Sequence, residues 1–228
     1  MAEQGRSSGT PTEFAMLVHR RLLSAYGYPE LKPQREPLDE LILTILSQNT
    51  NDTNRDRAYA SLLERFGTLD AVAEANVREI AEAVRPAGLH EQKARAIHAT
   101  LERLRVEHGS LDLGFFEEMT TEEALSWLLS LQGVGPKTAG IVLLFSFGRP
   151  YFPIDTHIRR VLSRVGWIRG SEEPHRRVNS ILAPDPQLMF DLHLQVIRLG
   201  RTLCRPRNPE CGRCPIRARC QHGSEGNT

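Results

Sequence analysis

The chain has 228 residues, of which 40% are hydrophobic and 25% charged, as expected for a globular protein with one large core or two modest ones. The first fourteen residues carry no apolar segment typical of export signals, and no apolar run reaches the roughly eighteen residues of a membrane span. These features exclude a membrane protein and predict a soluble, unexported, intracellular one. The net charge of +1 alone argues against a polyanionic partner.

Helical periodicity dominates the chain, and the strict alternation of a half-buried strand is almost absent. We therefore predict an all-α protein of about ten short helices. Pro37 at a first-turn position, followed by Asp39 and Glu40, favours a helix over a strand for the apolar run 38–46. We expect residues 1–11 and 223–228 to be disordered tails. The predicted helices span residues 13–26, 37–46, 52–66, 76–84, 90–108, 121–130, 136–147, 156–166, 174–183 and 187–203.

Residues 131–140, with the sequence LQGVGPKTAG, separate an amphipathic helix from one that is apolar nearly all round. Glycines at 133 and 135 permit a turn tight enough for backbone N–H groups to converge, and the following helix N-terminus adds a partial positive charge. This is a helix-hairpin-helix pattern, which suits a DNA phosphate. A plain turn between two helices remains the alternative.

Lys137 stands in the first turn of the helix that follows this hairpin. A cation at that end opposes the helix dipole at a cost of about 0.3–1 kcal/mol, and the same field together with partial burial lowers the lysine pKa. A lysine with a lowered pKa is a usable amine nucleophile.

Asp155 opens the helix predicted at 156–166 and is a good N-cap residue. A cap and a catalytic carboxylate are compatible, because the helix N-terminus keeps the carboxylate ionised. His157 could orient this carboxylate, although packing is the interpretation that we favour.

Four cysteines, the only ones in the chain, follow the pattern C-x6-C-x2-C-x5-C at Cys204, Cys211, Cys214 and Cys220. In an intracellular protein such a cluster favours a metal centre over disulfides or free thiols. Zinc and a [4Fe–4S] cluster both fit four thiolates, and the spacing leaves the two open.

Charge is unevenly distributed, since residues 131–228 carry a net +8 and residues 1–130 a net −7. This asymmetry permits a basic surface that binds phosphates. A solvated surface on which the charges cluster by chance explains the asymmetry equally well. Around the cysteines a single acidic residue, Glu210, stands among seven arginines, at positions 198, 201, 205, 207, 213, 217 and 219. Some could offset a thiolate-bound centre and others could contact a phosphate backbone.

In order and separation, the hairpin with Lys137, the Asp155-Thr156-His157 segment and the cysteine tail resemble the endonuclease III family of helix-hairpin-helix DNA glycosylases. The resemblance covers residues 14–220. It implies a six-helix barrel domain at 34–149 and a cluster domain made of 12–33 and 150–222. It also implies that the metal centre is a [4Fe–4S] cluster, and that Lys137 and Asp155 face each other across a cleft.

The activity implied by the resemblance is a bifunctional glycosylase and AP lyase of base excision repair. Its partner would be double-stranded DNA containing damaged pyrimidines or abasic sites, bound by a cytoplasmic monomer that associates with the nucleoid in a bacterium. Lys137 would attack C1′ to form a Schiff base, Asp155 would activate its amine, and β-elimination would cleave the strand. The damaged nucleotide would first be flipped out of the duplex.

The resemblance also assigns residues that contact DNA. Gln48 would fill the space left by the flipped base, and Leu89 would wedge the opposite strand. Without the resemblance, a solvated helix end and a core contact are the favoured interpretations of these two. The remaining expected contacts are Lys93, Gly133, Gly135 and Thr138.

Departures from the family pattern and rival functions leave two questions open. Pro136 replaces a basic residue before the lysine, and Asn49 and Asn51 border the base pocket, so DNA affinity and lesion preference do not follow from the resemblance. One rival is an adenine glycosylase of the same superfamily, which usually lacks a lysine at the position of Lys137. The other is a noncatalytic DNA-binding module with an iron–sulfur cluster.

Overall fold

The computed structural model describes residues 10–29, 35–170, 173–182 and 184–224, and within these ranges it contains helices and no β-strand. The all-α prediction is therefore confirmed. The helices, in chain order, are α1 (Pro11–Tyr26), α2 (Pro37–Leu46), α3 (Asp52–Phe66), α4 (Leu69–Glu74), α5 (Val77–Ala83), α6 (His90–His108), α7 (Thr121–Leu129), α8 (Pro136–Ile141), α9 (Thr156–Val165), α10 (Pro174–Ile181), α11 (Pro186–Thr202) and α12 (Gln221–Ser224).

The chain divides into two compact units, here called the central unit (Pro33–Arg149) and the terminal unit (Met1–Lys32 with Pro150–Thr228). These bounds adjoin the expected domain limits at 34 and 149. The central unit contains α2 to α8, and the terminal unit contains α1 and α9 to α12.

Helix α2 forms the middle of the central unit and packs against α3, α6 and α8. Its residues Leu41, Ile42, Ile45 and Leu46 are completely or almost completely buried, because a helix that is apolar all round can be stable only when neighbours cover every side. The C-terminus of α2 is thereby fixed beside the segment that leads into α8.

In the terminal unit the long helix α11 packs against α1 and α9. Helix α9 buries Ile158, Val161, Leu162 and Val165, one apolar stripe at helical spacing. At Gly200 of α11 an added Cβ would lie 3.0 Å from the Cβ of His157, so this glycine permits the close approach of the two helices. This contact fixes the helix that Asp155 opens.

Both predicted tails are too long, and residues 1–9 and 225–228 lie outside the described residues. Helix α1 already begins at Pro11, because Thr10 and Glu13 form a reciprocal capping box that satisfies exposed N–H groups. At the other end α12 extends to Ser224, whose N–H bonds the carbonyl of Cys220, and Gly223 packs against the backbone of Arg217.

All ten predicted helices are present, and α4 and α12 were missed. Helix α4 has six residues, too few to show a helical period, although Thr68 caps it. The helix predicted at 136–147 is α-helical to Ile141 and continues as a π-helical turn, Val142–Ser146. No helix in the described part of the chain is both long enough and apolar enough to cross a bilayer.

Candidate active site and metal centre

The hairpin between α7 and α8 has the geometry of a phosphate-binding turn. Gly133 has φ +76°, and a Cβ there would lie 3.2 Å from the Cβ of Ala96, so a larger residue would strain the turn. Among the described residues, the N–H groups of Gly133 and Gly135 have no hydrogen-bond acceptor. Pro136 occupies the first position of α8, as predicted, and no side chain caps this end. The turn therefore presents backbone donors beside a helix N-terminus.

Lys137 lies half-buried in the first turn of α8. Its Nζ donates a hydrogen bond to Ser47 Oγ at 3.3 Å, and Ser47 Oγ in turn donates to the carbonyl of Thr44 at 2.7 Å. The residue after α2 thus orients the amine. Ser47 was not among the predicted site residues, and its only sequence signal is its position next to Gln48.

Gln48 is fixed to the hairpin and is only partly exposed. Its Nε2 donates to the carbonyl oxygen of Gly133 at 2.8 Å and approaches Thr138 Oγ1 at 3.4 Å. A freely solvated helix end, the interpretation favoured without the resemblance, is therefore wrong. The structure brings Gln48, Gly133 and Lys137 together around one turn.

The side chain of Thr138 was expected to contact DNA, and this expectation is wrong. Thr138 is 2% exposed, because it lies on the face of α8 that packs into the central unit. Its hydroxyl supports Gln48 and cannot reach a phosphate from this position.

Leu89 is 52% exposed and adopts a left-handed backbone conformation, with φ +45°. The alternative that it is an ordinary core residue is therefore wrong. Gly88 before it also has a positive φ, +67°. A large apolar side chain held in solvent on a strained backbone is costly, which makes Leu89 a candidate for a functional contact.

Lys93 was expected at a phosphate, and this expectation is wrong. The residue is 2% exposed, and its Nζ donates to the carbonyl oxygens of Leu46 and Ala87, each at 2.8 Å. It lies on the buried stripe of α6, in helical register with Ile97 and Leu104. Burial lowers its pKa to about 8.

The two asparagines near Gln48 have different positions. Asn51 caps α3, because its side chain accepts the N–H of Asn54 at 2.8 Å. Asn49 is exposed and has φ +51°. The effect of Asn49 and Asn51 on lesion preference stays a prediction.

Asp155 is the N-cap of α9, as predicted, and its Oδ1 accepts the N–H of Ile158 at 2.7 Å. The half-buried carboxylate keeps its second oxygen for other partners. His157 packs against Gly200, and its Nδ1 lies 3.2 Å from a guanidinium nitrogen of Arg160, which supports the packing interpretation.

Three side chains from α10 and α11 fix the backbone just before Asp155. The side-chain oxygen of Asn179 accepts the N–H of Phe152 at 2.9 Å, and His175 Nε2 accepts the N–H of Ile154 at 3.4 Å. His193 Nδ1 lies 3.1 Å from the carbonyl oxygen of Pro153. The carboxylate is therefore carried by a rigid segment, a requirement for any precise chemical role.

The four cysteines line one cavity in the terminal unit, together with Arg164 and Glu210. Burial, together with the charges of the other three sulfurs, raises the pKa of the Cys214 thiol to about 11. Donors converge on the sulfurs: Arg164 Nη1 lies 3.2 Å from Cys204 Sγ, and backbone N–H groups reach Cys214 and Cys220. Such donors suit anionic thiolates, so these residues fit a thiolate-bound centre.

Within the described residues, no group of three or more His, Cys, Asp or Glu side chains has the geometry of a site for one metal ion. The four thiols around the common cavity are the residues that would hold a metal centre in the terminal unit.

Comparisons with known proteins agree with this geometry. Residues 42–184 match the family model described as HhH-GPD superfamily base excision DNA repair protein. The chain is 32% identical over 197 residues to endonuclease III of Thermotoga maritima, covering 85% of this chain and 87% of that protein. It is 36% identical over 186 residues to endonuclease III of Sulfolobus acidocaldarius, covering 80% of each.

Solved structures share the fold. An endonuclease III trapped as a covalent intermediate with DNA has a TM-score of 0.76 at 24% identity, covering 93% of this chain and 97% of that one. A thermostable thymine-DNA glycosylase has a TM-score of 0.74 at 19% identity, covering 93% and 98%. The chain belongs to the HhH-GPD superfamily of base excision DNA repair proteins and, within it, to the endonuclease III family of DNA glycosylases and AP lyases.

Proposed function

We propose that this chain removes oxidised pyrimidines from double-stranded DNA and then cleaves the abasic strand, acting as a cytoplasmic monomer. The observation that carries the proposal is the position of Lys137, in the first turn of α8 beside hairpin amides that have no acceptor among the described residues. Amides that bind a phosphate would bring the neighbouring sugar to a nucleophilic amine.

The chemistry follows from the amine of Lys137. Its lone pair attacks C1′, and the glycosidic bond breaks with its electron pair leaving on the base, which takes up a proton. Loss of an amine proton and opening of the sugar ring give a Schiff base between Nζ and C1′. Removal of a proton from C2′ then expels the 3′ phosphate, which completes β-elimination.

Asp155 acts on the same nucleotide in this proposal. Its carboxylate accepts a proton from the Lys137 ammonium before attack and stabilises the positive charge that develops at C1′ as the base leaves. The support is its conformation: one oxygen is engaged by the N–H of Ile158, while the backbone before it is fixed by α10 and α11.

DNA is bound through the hairpin amides and two loops. The N–H groups of Gly133 and Gly135 take the phosphate, Gln48 fills the space of the flipped base, and Leu89 wedges the opposite strand. Exposure of Leu89 and attachment of Gln48 to the hairpin carbonyl support these roles.

The proposed metal centre is a [4Fe–4S] cluster bound by Cys204, Cys211, Cys214 and Cys220. A cluster would supply a rigid crosslink for the terminal unit and a redox-active group. The convergence of four cysteine thiols on one cavity, with N–H donors directed at their sulfurs, supports a thiolate-bound centre at this site.

Replacing Cys214 by serine should reduce bound iron and the visible absorption of the purified protein, because a serine hydroxyl is a poor ligand for iron. Metal analysis of the unmodified chain should give about four iron atoms per chain. Glu210→Gln is the matched control, since Glu210 lines the same cavity without a thiol, and it should keep its iron. One zinc per chain in the unmodified protein would contradict the cluster.

Borohydride trapping tests the proposed activity. Duplexes that each contain one oxidised pyrimidine, one abasic site or no lesion are incubated with the protein and reductant. We expect a covalent protein–DNA adduct with the abasic and oxidised-pyrimidine duplexes and none with the undamaged one. Binding without an adduct on any lesion would instead indicate a noncatalytic DNA-binding module. Excision of adenine from a mispair without strand cleavage would indicate an adenine glycosylase.

A further inference from the structure

Lys93 is a buried lysine that the chemistry above does not use. The chain has only three lysines, at positions 32, 93 and 137. Lys93 is 2% exposed, and its Nζ donates to two backbone carbonyls at 2.8 Å each. A side chain with this burial and two short hydrogen bonds has one fixed position.

The two carbonyls end two different segments. Leu46 is the last residue of α2, and Ala87 is the last residue of the 3-10 turn Arg85–Ala87. The carbonyl of a terminal helical residue lacks an intrahelical donor, so Lys93 caps both segments at once. The first segment continues directly to Gln48 and the second to Leu89.

Both segments lead into a left-handed residue within three positions of the carbonyl that Lys93 holds. Asn49 and Leu89 have φ +51° and +45°, and the described residues contain only one other non-glycine residue with positive φ, Asn208. Left-handed conformations of such residues persist only where the surroundings enforce them. Lys93 contacts both segments.

We propose that Lys93 is a positioning residue that ties the Gln48 and Leu89 loops together, so that both loops enter a damaged duplex as one preformed unit. The inference rests on the proposed function, because it assumes that these two loops contact DNA. If the two loops are already rigid, less conformational entropy is lost when they enter the duplex at a lesion. Binding at a lesion would then be favoured over binding to intact DNA.

Protonation leaves this tie intact. Burial lowers the pKa of Lys93 to about 8. Below that pH the side chain is an ammonium with three N–H donors, and above it the side chain is an amine with two. Two donors are enough for the carbonyls of Leu46 and Ala87. The tie is therefore expected to hold across neutral pH.

The test compares the affinities of the protein for a duplex with a reduced abasic-site analogue and for the same duplex without a lesion. Lys93→Met keeps an apolar chain of similar length and removes both hydrogen bonds. We expect the dissociation constant for the damaged duplex to rise by about tenfold or more, with little change for the undamaged duplex, so that discrimination between the two is lost. Thr100→Val is the matched control, because Thr100 is also buried on α6 and its hydroxyl donates to the carbonyl of Ala96 in the same helix.

A spectroscopic measurement separates positioning from stability. 2-Aminopurine beside the abasic analogue brightens when inserted residues disturb stacking, so the saturating signal should be weaker for Lys93→Met than for Thr100→Val. In a Gln48→Ala, Leu89→Ala background, adding Lys93→Met should cause no further loss of discrimination. If Lys93→Met reduces discrimination in this background as much as it does in the unmodified protein, the inference is overturned.

The outcomes distinguish this inference from the proposed function. If Gln48→Ala, Leu89→Ala keeps normal discrimination, the proposed roles of these loops fail and the inference fails with them. If that variant loses discrimination and Lys93→Met does not, the inference alone is overturned.

A measurement on the unmodified protein covers the case in which Lys93→Met does not fold. With lysine side chains labelled with ¹⁵N, the Nζ hydrogens of Lys93 should be protected from exchange with solvent in the free protein and stay protected on binding the abasic-analogue duplex. Rapid exchange in the free protein, or loss of protection on binding, would contradict the proposed tie.

Discussion

Replacement of Lys137 by glutamine should abolish the borohydride-trapped adduct and reduce strand cleavage at an abasic site by on the order of 10⁴-fold, the scale expected for a lost nucleophile. Glutamine suits a helix and keeps an N–H donor that can still reach Ser47. The hairpin, whose donors are backbone amides, should keep its affinity for DNA. The assay is trapping and gel separation on one duplex with a preformed abasic site.

Lys32→Gln is the control for this prediction, because it removes another of the chain's three lysines. It should keep the adduct at the level of the unmodified protein. An adduct that persists in Lys137→Gln would place the nucleophile elsewhere, and one that disappears in both variants would show that trapping does not report on Lys137. Ser47→Ala, which removes a hydrogen-bond acceptor of Nζ, should slow trapping without abolishing it.

The helices could be predicted because their signals are local. Asp155 is a cap that the sequence marks at the correct position, and Pro136 begins α8 as expected. Helix α4 could not be predicted, since six residues do not complete two helical turns. The terminal helix α12 has only four residues and is stabilised by contacts with residues that precede it.

The site was harder to predict because it depends on contacts between distant residues. Nothing local shows that Gln48 bonds the carbonyl of Gly133, 85 residues away, or that Ser47 accepts from Lys137. Lys93 did carry a signal, since it shares a helical stripe with Ile97 and Leu104. A lysine on that stripe indicates burial against carbonyls, and assigning it to a phosphate ignored its register.

Exchange of Asp155 for asparagine should separate catalysis from capping. Asparagine is as good an N-cap as aspartate, so its side-chain oxygen can still accept the N–H of Ile158. The free energy of unfolding should change by less than about 0.5 kcal/mol. An amide can neither take a proton from the Lys137 ammonium nor stabilise positive charge at C1′, so base excision should slow by about 10²–10⁴-fold.

Asp155→Ala is the matched comparison, because it removes both functions of the side chain. It should slow base excision as much as Asp155→Asn does and should also destabilise the protein by about 1 kcal/mol through loss of the cap. The measurements are single-turnover excision of an oxidised pyrimidine and urea unfolding of all three proteins. If Asp155→Asn excises the base at the unmodified rate, the carboxylate is only a cap. The positive charge at C1′ must then be stabilised by another group.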